Sequence, residues 1–455
     1  MLKNYLISVF RNLKRNPGYL SINIIGLAVG IATVLLIALY VQHELSFDQY
    51  HEKKDRIYRL SSYSGFAEKS WGGYVAGDPV PELRENYTGV EDAAKYMNCG
   101  TDNITLEGTR YEDITMLCGE PNLFNIFSFN LLSSNAEKPL EAPNTAVITK
   151  SLAERLFGDE DPVGKSLPIN FDGPELTDFE ITGLMEDVPT NSHFRFDLMI
   201  SYESLRSTRR CMDCGQSMYV LLKEGTNPDS VASSALTHVR EIDGRDYVED
   251  IKLERLTDIY FSSLVENSQG NFQYVLIMSA IALLILLIGC ANYMNMATAR
   301  FSQRSKEIGV RNVLGAHRLE LMKQFYLETI ALTVLALPLA MVLLTVALPY
   351  FNNLANTEIQ LNWYSNYSVY ASIFGLLVII GIIAGSYPAL FLSSFKPSDV
   401  IKGTLKPSLS ATGIRKSLVV FQFLIALVMI VVTGVIVQQL NYIQEKTWVL
   451  KQIKL

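Results

Sequence analysis

Three groups of residues could support chemistry. The first is Gly158-Asp159-Glu160-Asp161-Pro162-Val163-Gly164-Lys165-Ser166, which ends like a phosphate-binding loop. Such a loop needs glycine at 159, where Asp159 stands, and three carboxylates would repel the phosphates. The stretch is not read as a nucleotide site. The second group is four of the five cysteines, Cys99, Cys118, Cys211 and Cys214, which fall in one acidic segment. Structural disulfides, a four-thiolate zinc site and a redox Cys-x-x-Cys pair compete as readings. Cys211 and Cys214 could close locally, and an oxidising compartment favours disulfides. The third is Glu328, one residue into an apolar run, a candidate intramembrane polar site. Snorkelling to headgroups, or pairing with Lys323 or Arg318, is the preferred reading there. His43, His51, His193, His238 and His317 are scattered and read as surface or packed residues. No nucleophile–base pair, metal site or cofactor is expected.

The elements around these residues are membrane elements. The 455-residue chain is 49% hydrophobic and 19% charged, which suits a membrane protein with a large water-exposed domain. Leu2 to Arg15 reads as an interfacial amphipathic helix (1–19), stopped by Asn16-Pro17-Gly18. Apolar runs of bilayer length follow at Leu20–Val41 (first span, 20–42), Val275–Met296, Leu327–Tyr350, Val369–Phe391 and Leu418–Val437. Residues 43–272 form the domain between the first two spans. A membrane domain with three spans occupies 273–392 and contains the loop 299–325. A linker (393–417), a fifth span (418–440) and a short tail (441–455) complete the chain. Thr145–Thr149 and Phe179–Leu184 read as strands, and Lys150–Phe157 as a helix ended by Gly158, so the large domain is α+β. The predicted fold is a multi-pass α-helical membrane protein of about five spans with a large α+β extracytoplasmic domain.

Charge sets the expected orientation. Met1–Tyr19, Ala299–Phe325 and Ser393–Ser417 together hold fifteen Lys/Arg and three acids, whereas His43–Phe272 holds 21 Lys/Arg and 40 acids. Basic short loops stay inside. The amino terminus is therefore expected in the cytoplasm, and the acidic domain outside. That acidity argues against a nucleic-acid partner.

Within Ala299–Phe325, Val310, Val313, Leu314, His317 and Leu321 recur at helical spacing, and Gly309 and Gly315 permit close backbone approach. A short amphipathic helix along the inner membrane surface is predicted. Glu307-Ile308-Gly309-Val310-Arg311 followed by Leu314-Gly315-Ala316 resembles the signature after the second span of MacB/FtsX-type ABC-transporter permeases. Asn312 departs from it, since Lys is usual there. Pro121–Phe129, Ser151–Gly158, Asp187–His193 and Leu256–Tyr260 resemble, in order, the MacB-like periplasmic core domain.

The resemblance implies a permease subunit without its own nucleotide-binding domain, in the inner membrane. Its partners would be a separate ABC ATPase, a second permease subunit or homodimer, a periplasmic adaptor and membrane lipids. Glu307, Gly309, Val310, Arg311, Leu314 and Gly315 would form the ATPase-coupling surface. Movement there would be passed to the extracytoplasmic domain, for export or extraction of a substrate. The alternative class is a membrane receptor that senses a ligand outside and signals inward. Arg415–Gln439 echoes Arg15–Gln42, as though a second half begins there. On that reading a further exported domain and three more spans would follow.

Overall fold

The apolar run after Asn16 folds as one helix, α1 (Pro17–Leu45), with Pro17 in the first turn, where an amide proton is not needed. The computed structural model describes residues 17–64, 70–106, 108–169, 176–208, 216–262, 264, 270–313, 318–355, 357–361, 367–393 and 409–453. They divide into two units: Met1–Val41 with Val275–Leu455, and Gln42–Tyr274.

The unit Gln42–Tyr274 is α+β. Its strands are β1 (Ile57–Ser64), β2 (Ser70–Gly72), β3 (Val90–Leu106), β4 (Thr109–Gly119), β5 (Leu131–Ser134), β6 (Thr145–Thr149), β7 (Ser166–Ile169), β8 (Thr177–Met185), β9 (Leu198–Ser201), β10 (Ser217–Leu222) and β11 (Val248–Arg255). Between them lie α2 (Val80–Asn86), α3 (Leu123–Ile126), α4 (Lys150–Phe157), α5 (Tyr202–Thr208), α6 (Pro228–Glu241) and α7 (Leu256–Ile259). One sheet runs β11-β1-β10-β3-β4-β9-β6-β8-β5, with β2 on β1 and β7 on β8. The β4–β9 and β6–β8 pairs are parallel.

The strand and helix expected over Thr145–Thr149 and Lys150–Phe157 are β6 and α4 at the same residues. Every residue of β6 is buried, so its near-continuous apolar run is the pattern a doubly covered strand requires. The Thr149 side chain accepts the Leu152 amide, and Gly158 at φ 64° ends the helix. The strand expected over Phe179–Leu184 is the middle of β8.

Cys99 and Cys118 form a disulfide between β3 and β4, with Cα atoms 6.0 Å apart. Cys99 sits where the β3–β4 register shifts, between Asn98 and Gly100. Cys211 and Cys214 lie outside the described residues. The phosphate-loop look-alike is a closed turn: Lys165 Nζ bonds Glu160 at 2.5 Å and lies 4.6 Å over the Phe157 ring.

The second span begins α8 (Phe272–Val313), and α9 (Arg318–Ala355), α10 (Tyr367–Ser393) and α11 (Leu409–Ile453) follow. Among the described residues, four stretches are long and apolar enough to cross a membrane: Leu20–Leu45, Phe272–Ala297, Tyr326–Ala355 and Lys416–Val435. A shorter apolar stretch, Ile373–Ser386, belongs to α10. The bundle core takes Leu27, Ile31 and Leu35 from α1, Leu286 and Cys290 from α8, Leu332, Ala336 and Ala340 from α9, and Leu376, Ile380 and Ala384 from α10. Gly381 and Gly385 let α10 approach α9; a Cβ at Gly385 would lie 2.8 Å from the Tyr326 ring. Of Gly26 and Gly30, only Gly26 faces another side chain, Asn292 at 3.3 Å.

Two expectations change. The coupling stretch is not a separate short helix. Helix α8 runs through the span without a break to Val313, and α9 starts at Arg318. Residues Ala297 to Val313 contain no proline and many strong helix formers, so nothing stops the helix at the membrane surface. The apolar stripe is thereby divided: Val310 and Val313 fall on α8, and Leu321 falls on α9. Of the two readings of Glu328, snorkelling does not hold. Glu328 is 5% exposed, in the bundle beside Thr329, whose hydroxyl is 2.9 Å from Tyr293 Oη.

Candidate functional site

The residues that tie the α+β unit to the chain leaving α1 lie in Glu44–Lys53. Asp48 is fully buried and takes φ 56°, a left-handed conformation that aspartate tolerates better than most side chains. That turn folds the segment back against residues 191–193. The Asp48 amide donates to the Asn191 carbonyl at 2.9 Å. Its carboxylate accepts from Ser192 Oγ (3.1 Å) and the His193 amide (3.0 Å), and faces His193 Nδ1 at 2.9 Å. Asn191 Nδ2 donates to the Ser46 carbonyl and to Ser46 Oγ. Burial opposes ionisation of Asp48, but the His193 charge and these hydrogen bonds outweigh it and hold the carboxyl below its usual range.

A second arm grips the same segment. The Ser128 amide donates to His51 Nδ1 at 3.1 Å, and the Glu52 amide donates to Ser128 Oγ at 2.9 Å. The His51 ring packs against Phe127 and Phe129, with centroids 5.1 and 6.1 Å away. The third arm is the chain returning to the membrane. Phe47 stacks on Tyr260 with centroids 3.6 Å apart, and Tyr260 Oη donates to Glu44 at 2.9 Å. The Gly270 amide bonds the Tyr260 carbonyl at 2.9 Å. A Cβ at Gly270 would fall 2.3 Å from the Tyr260 ring, so only glycine fits. Phe272, the first residue of α8, packs edge-on against Phe261.

Polar contacts continue inward. His193 Nε2 is 2.9 Å from Tyr219 Oη on β10. Across the sheet, Arg59 on β1 bonds Glu254 on β11 at 2.8 Å, and Ser61 and Ser262 donate to the same carboxylate. Burial raises the Glu254 pKa, but the three donors reverse this and leave it lowered. The segment from α1 and the segment to α8 are thus joined directly, through Phe47 and Tyr260. Each is also joined to the sheet.

The sequence stretches singled out earlier meet here. Phe127–Phe129, Asn191–His193 and Tyr260 converge on residues 44–53, and Asp187 secures α4 by accepting the Ser151 amide and hydroxyl at 2.9 and 2.7 Å. His51, expected to be a surface or packed residue, is packed, whereas Phe47 and Asp48 escaped sequence reasoning. Their signal was the density of aromatic, acidic and imidazole side chains in Phe47-Asp48-Gln49-Tyr50-His51, immediately after an apolar helix. Of the predicted coupling residues, Glu307, Gly309, Val310 and Arg311 lie on the last turns of α8, and Leu314 and Gly315 lie outside the described residues. Among the described residues, no group of three or more His, Cys, Asp or Glu could hold a metal ion.

Residues 20–237 match the family of the MacB-like periplasmic core domain, and residues 279–397 match the FtsX-like permease C-terminal family. The chain belongs to the MacB/FtsX-type permeases. In such a permease the α+β unit is the extracytoplasmic domain and the apolar helices lie in the inner membrane. The macrolide export ATP-binding/permease protein MacB of Neisseria meningitidis is 29% identical over 195 residues, 43% of this chain and 29% of that protein. The protein of the same name from Chlorobium luteolum is 24% identical over 349 residues, 72% of this chain and 49% of that one. This permease spans less than half the length of these relatives. Among solved structures, a permease domain from Porphyromonas gingivalis is 23% identical with a TM-score of 0.39, covering 50% of this chain and 99% of its own. The periplasmic region of MacB from Actinobacillus actinomycetemcomitans is 12% identical with a TM-score of 0.34, covering 45% and 89%.

Proposed function

We propose that this permease is the membrane subunit of an ABC transporter that converts ATP hydrolysis by a separate ATPase chain into movement of its extracytoplasmic domain. Helix α8 is the observation that carries this reading. It is one uninterrupted helix from Phe272, held at its first residue by Phe261, to Val313, beyond the Glu307–Arg311 signature. Forty-two residues make about 63 Å of helix, twice the roughly 30 Å of a hydrocarbon core. A push at the Glu307–Arg311 end needs no flexible joint to reach the Phe272 end. Glu307 and Arg311 supply charge contacts to the ATPase, Val310 and Leu314 supply apolar contact, and Gly309 and Gly315 set how closely it approaches. Export or extraction of a substrate follows from domain movement, with a second permease subunit completing the pair and a periplasmic adaptor receiving the stroke.

The test reverses the two charges together, Glu307→Arg with Arg311→Glu, and separately places a bulky side chain by Gly315→Leu. Both variants are expected to insert normally and to lose at least tenfold in ATPase association, or most of the permease-stimulated hydrolysis. Unchanged affinity and rate in both would sink the coupling assignment.

A further inference from the structure

His51 is the buried titratable group whose geometry admits only one protonation state. The ring is 1% exposed and sits among Tyr50, Phe127 and Phe129. A backbone amide can only donate, so the Ser128 N–H bond to Nδ1 requires a lone pair there and puts the imidazole proton on Nε2. A second proton would have to enter Nδ1, against the Ser128 N–H, and its charge would be buried among aromatic side chains.

We propose that the contact of His51 and Glu52 with Phe127–Phe129 is an acid-released latch, with protonation of His51 freeing this arm of the segment that follows the first span from the extracytoplasmic domain. The proposal rests on the reading that the extracytoplasmic domain is moved by the transporter cycle.

Charges around the ring come from two elements. Asp48, on the same segment, attracts a proton, but its carboxylate is already engaged by Ser192 and His193. His193, from the 191–193 turn, repels one. Tyr50 is neutral and bonds Ser192 at 3.1 Å. The Phe127–Phe129 turn brings no titratable side chain. Next along the chain, the Glu52 amide bonds Ser128 Oγ, and Lys53 bonds the Asn125 carbonyl at 2.8 Å and lies 3.9 Å from Glu91. Burial dominates and pushes the His51 pKa from 6.5 down to about 4, despite Asp48. A base with a lowered pKa in the closed state keeps the latch intact above pH 6.5. That contribution to closure is lost as pH falls from 6.5 towards 4, because the open state binds the proton more tightly. The opening constant then rises about tenfold per pH unit, roughly 300-fold across the window.

The test is hydrogen exchange of the full chain in lipid nanodiscs between pH 7.5 and 4.5, corrected for intrinsic rates and run without nucleotide or partner. Peptides covering 48–53 and 125–129 are expected to open about tenfold more per pH unit below 6.5, while the β10 peptide, 217–222, stays flat. In His51→Gln the amide oxygen can accept from Ser128 but cannot titrate, and the slope is expected to vanish. Should that variant fold poorly, the wild-type His51 ring proton, followed by NMR, is expected to titrate below pH 5. A flat wild-type profile, an equal slope in β10, an undiminished slope in folded His51→Gln, or ring titration near 6.5 would each overturn the latch. The readout involves no ATPase, so its failure is distinguishable from failure of the coupling assignment.

Discussion

Asp48 concentrates at one position what the root of the extracytoplasmic domain requires. Its backbone turns left-handed so that the chain can fold back, and its buried carboxylate satisfies donors from another loop. Two costs follow from Asp48→Ala: the Ser192 hydroxyl and His193 amide lose their acceptor, and alanine is strained at positive φ. Together they should lower domain stability by about 3–5 kcal/mol. Asp48→Asn keeps an acceptor oxygen and tolerates the turn, so its loss should be clearly smaller. Denaturant unfolding of the domain within the full chain, followed by near-UV signal, checks both the size and the order. Equal losses would mean that the backbone turn and the acceptor contribute nothing specific. Cys99 and Cys118 give the second prediction at this scale. Their 19-residue separation predicts roughly 3 kcal/mol from closing the loop, so Cys99→Ala should lower the same midpoint. In the oxidised wild type, neither thiol should label before reductant is added.

At the scale of elements, two helices behave differently from what their composition suggests. The stripe on Val310, Val313, Leu314, His317 and Leu321 reads as one amphipathic helix because periodicity does not mark where a helix begins. In the fold, α8 claims its first two positions and α9 its last. Helix α11 is the second case. Only 6% of its apolar window is buried, against 22–39% for the other three candidate spans, yet two hydrogen bonds hold it to α8. Gln422 Nε2 donates to the Ile288 carbonyl at 3.1 Å, and Asn295 Nδ2 donates to Gln422 Oε1 at 3.2 Å. Lipid is as apolar as leucine, so such polar contacts are what distinguishes bound from separated helices. Replacing Gln422 by Leu should weaken α8–α11 association by about 1 kcal/mol while making membrane insertion easier. A disulfide-trapping pair placed across the two helices should cross-link several-fold more slowly in the variant. Unchanged trapping would show that packing holds α11 without Gln422.

For the molecule as a whole, the charge bias makes the orientation testable. Reporters fused after residue 60 and at residue 360 should report outside, and those at 310 and 405 inside. A reporter at 310 reading outside would remove both the topology and the coupling role. Much of the architecture was legible from local chemistry. Span length, loop charge, and the β6–α4 unit with its Gly158 stop depend on residues close in sequence, and the structure has β6 and α4 at the expected positions. The root was not legible in this way. Asp48 meets His193 across 145 residues, and Phe47 meets Tyr260 across more than two hundred, so nothing local marks them as partners. The cysteines make the same point. Cys211 and Cys214 stood out because they are neighbours in the chain, but Cys99 and Cys118 pair because β3 and β4 lie side by side in the sheet. Composition and spacing determined which segments are long and apolar enough to cross a membrane and where a helix such as α4 stops, since these respond to the solvent and to the adjacent turn. Only the tertiary structure decided which buried carboxylate meets which imidazole, because burying a polar group requires a partner, and that partner is supplied by distant chain brought into contact.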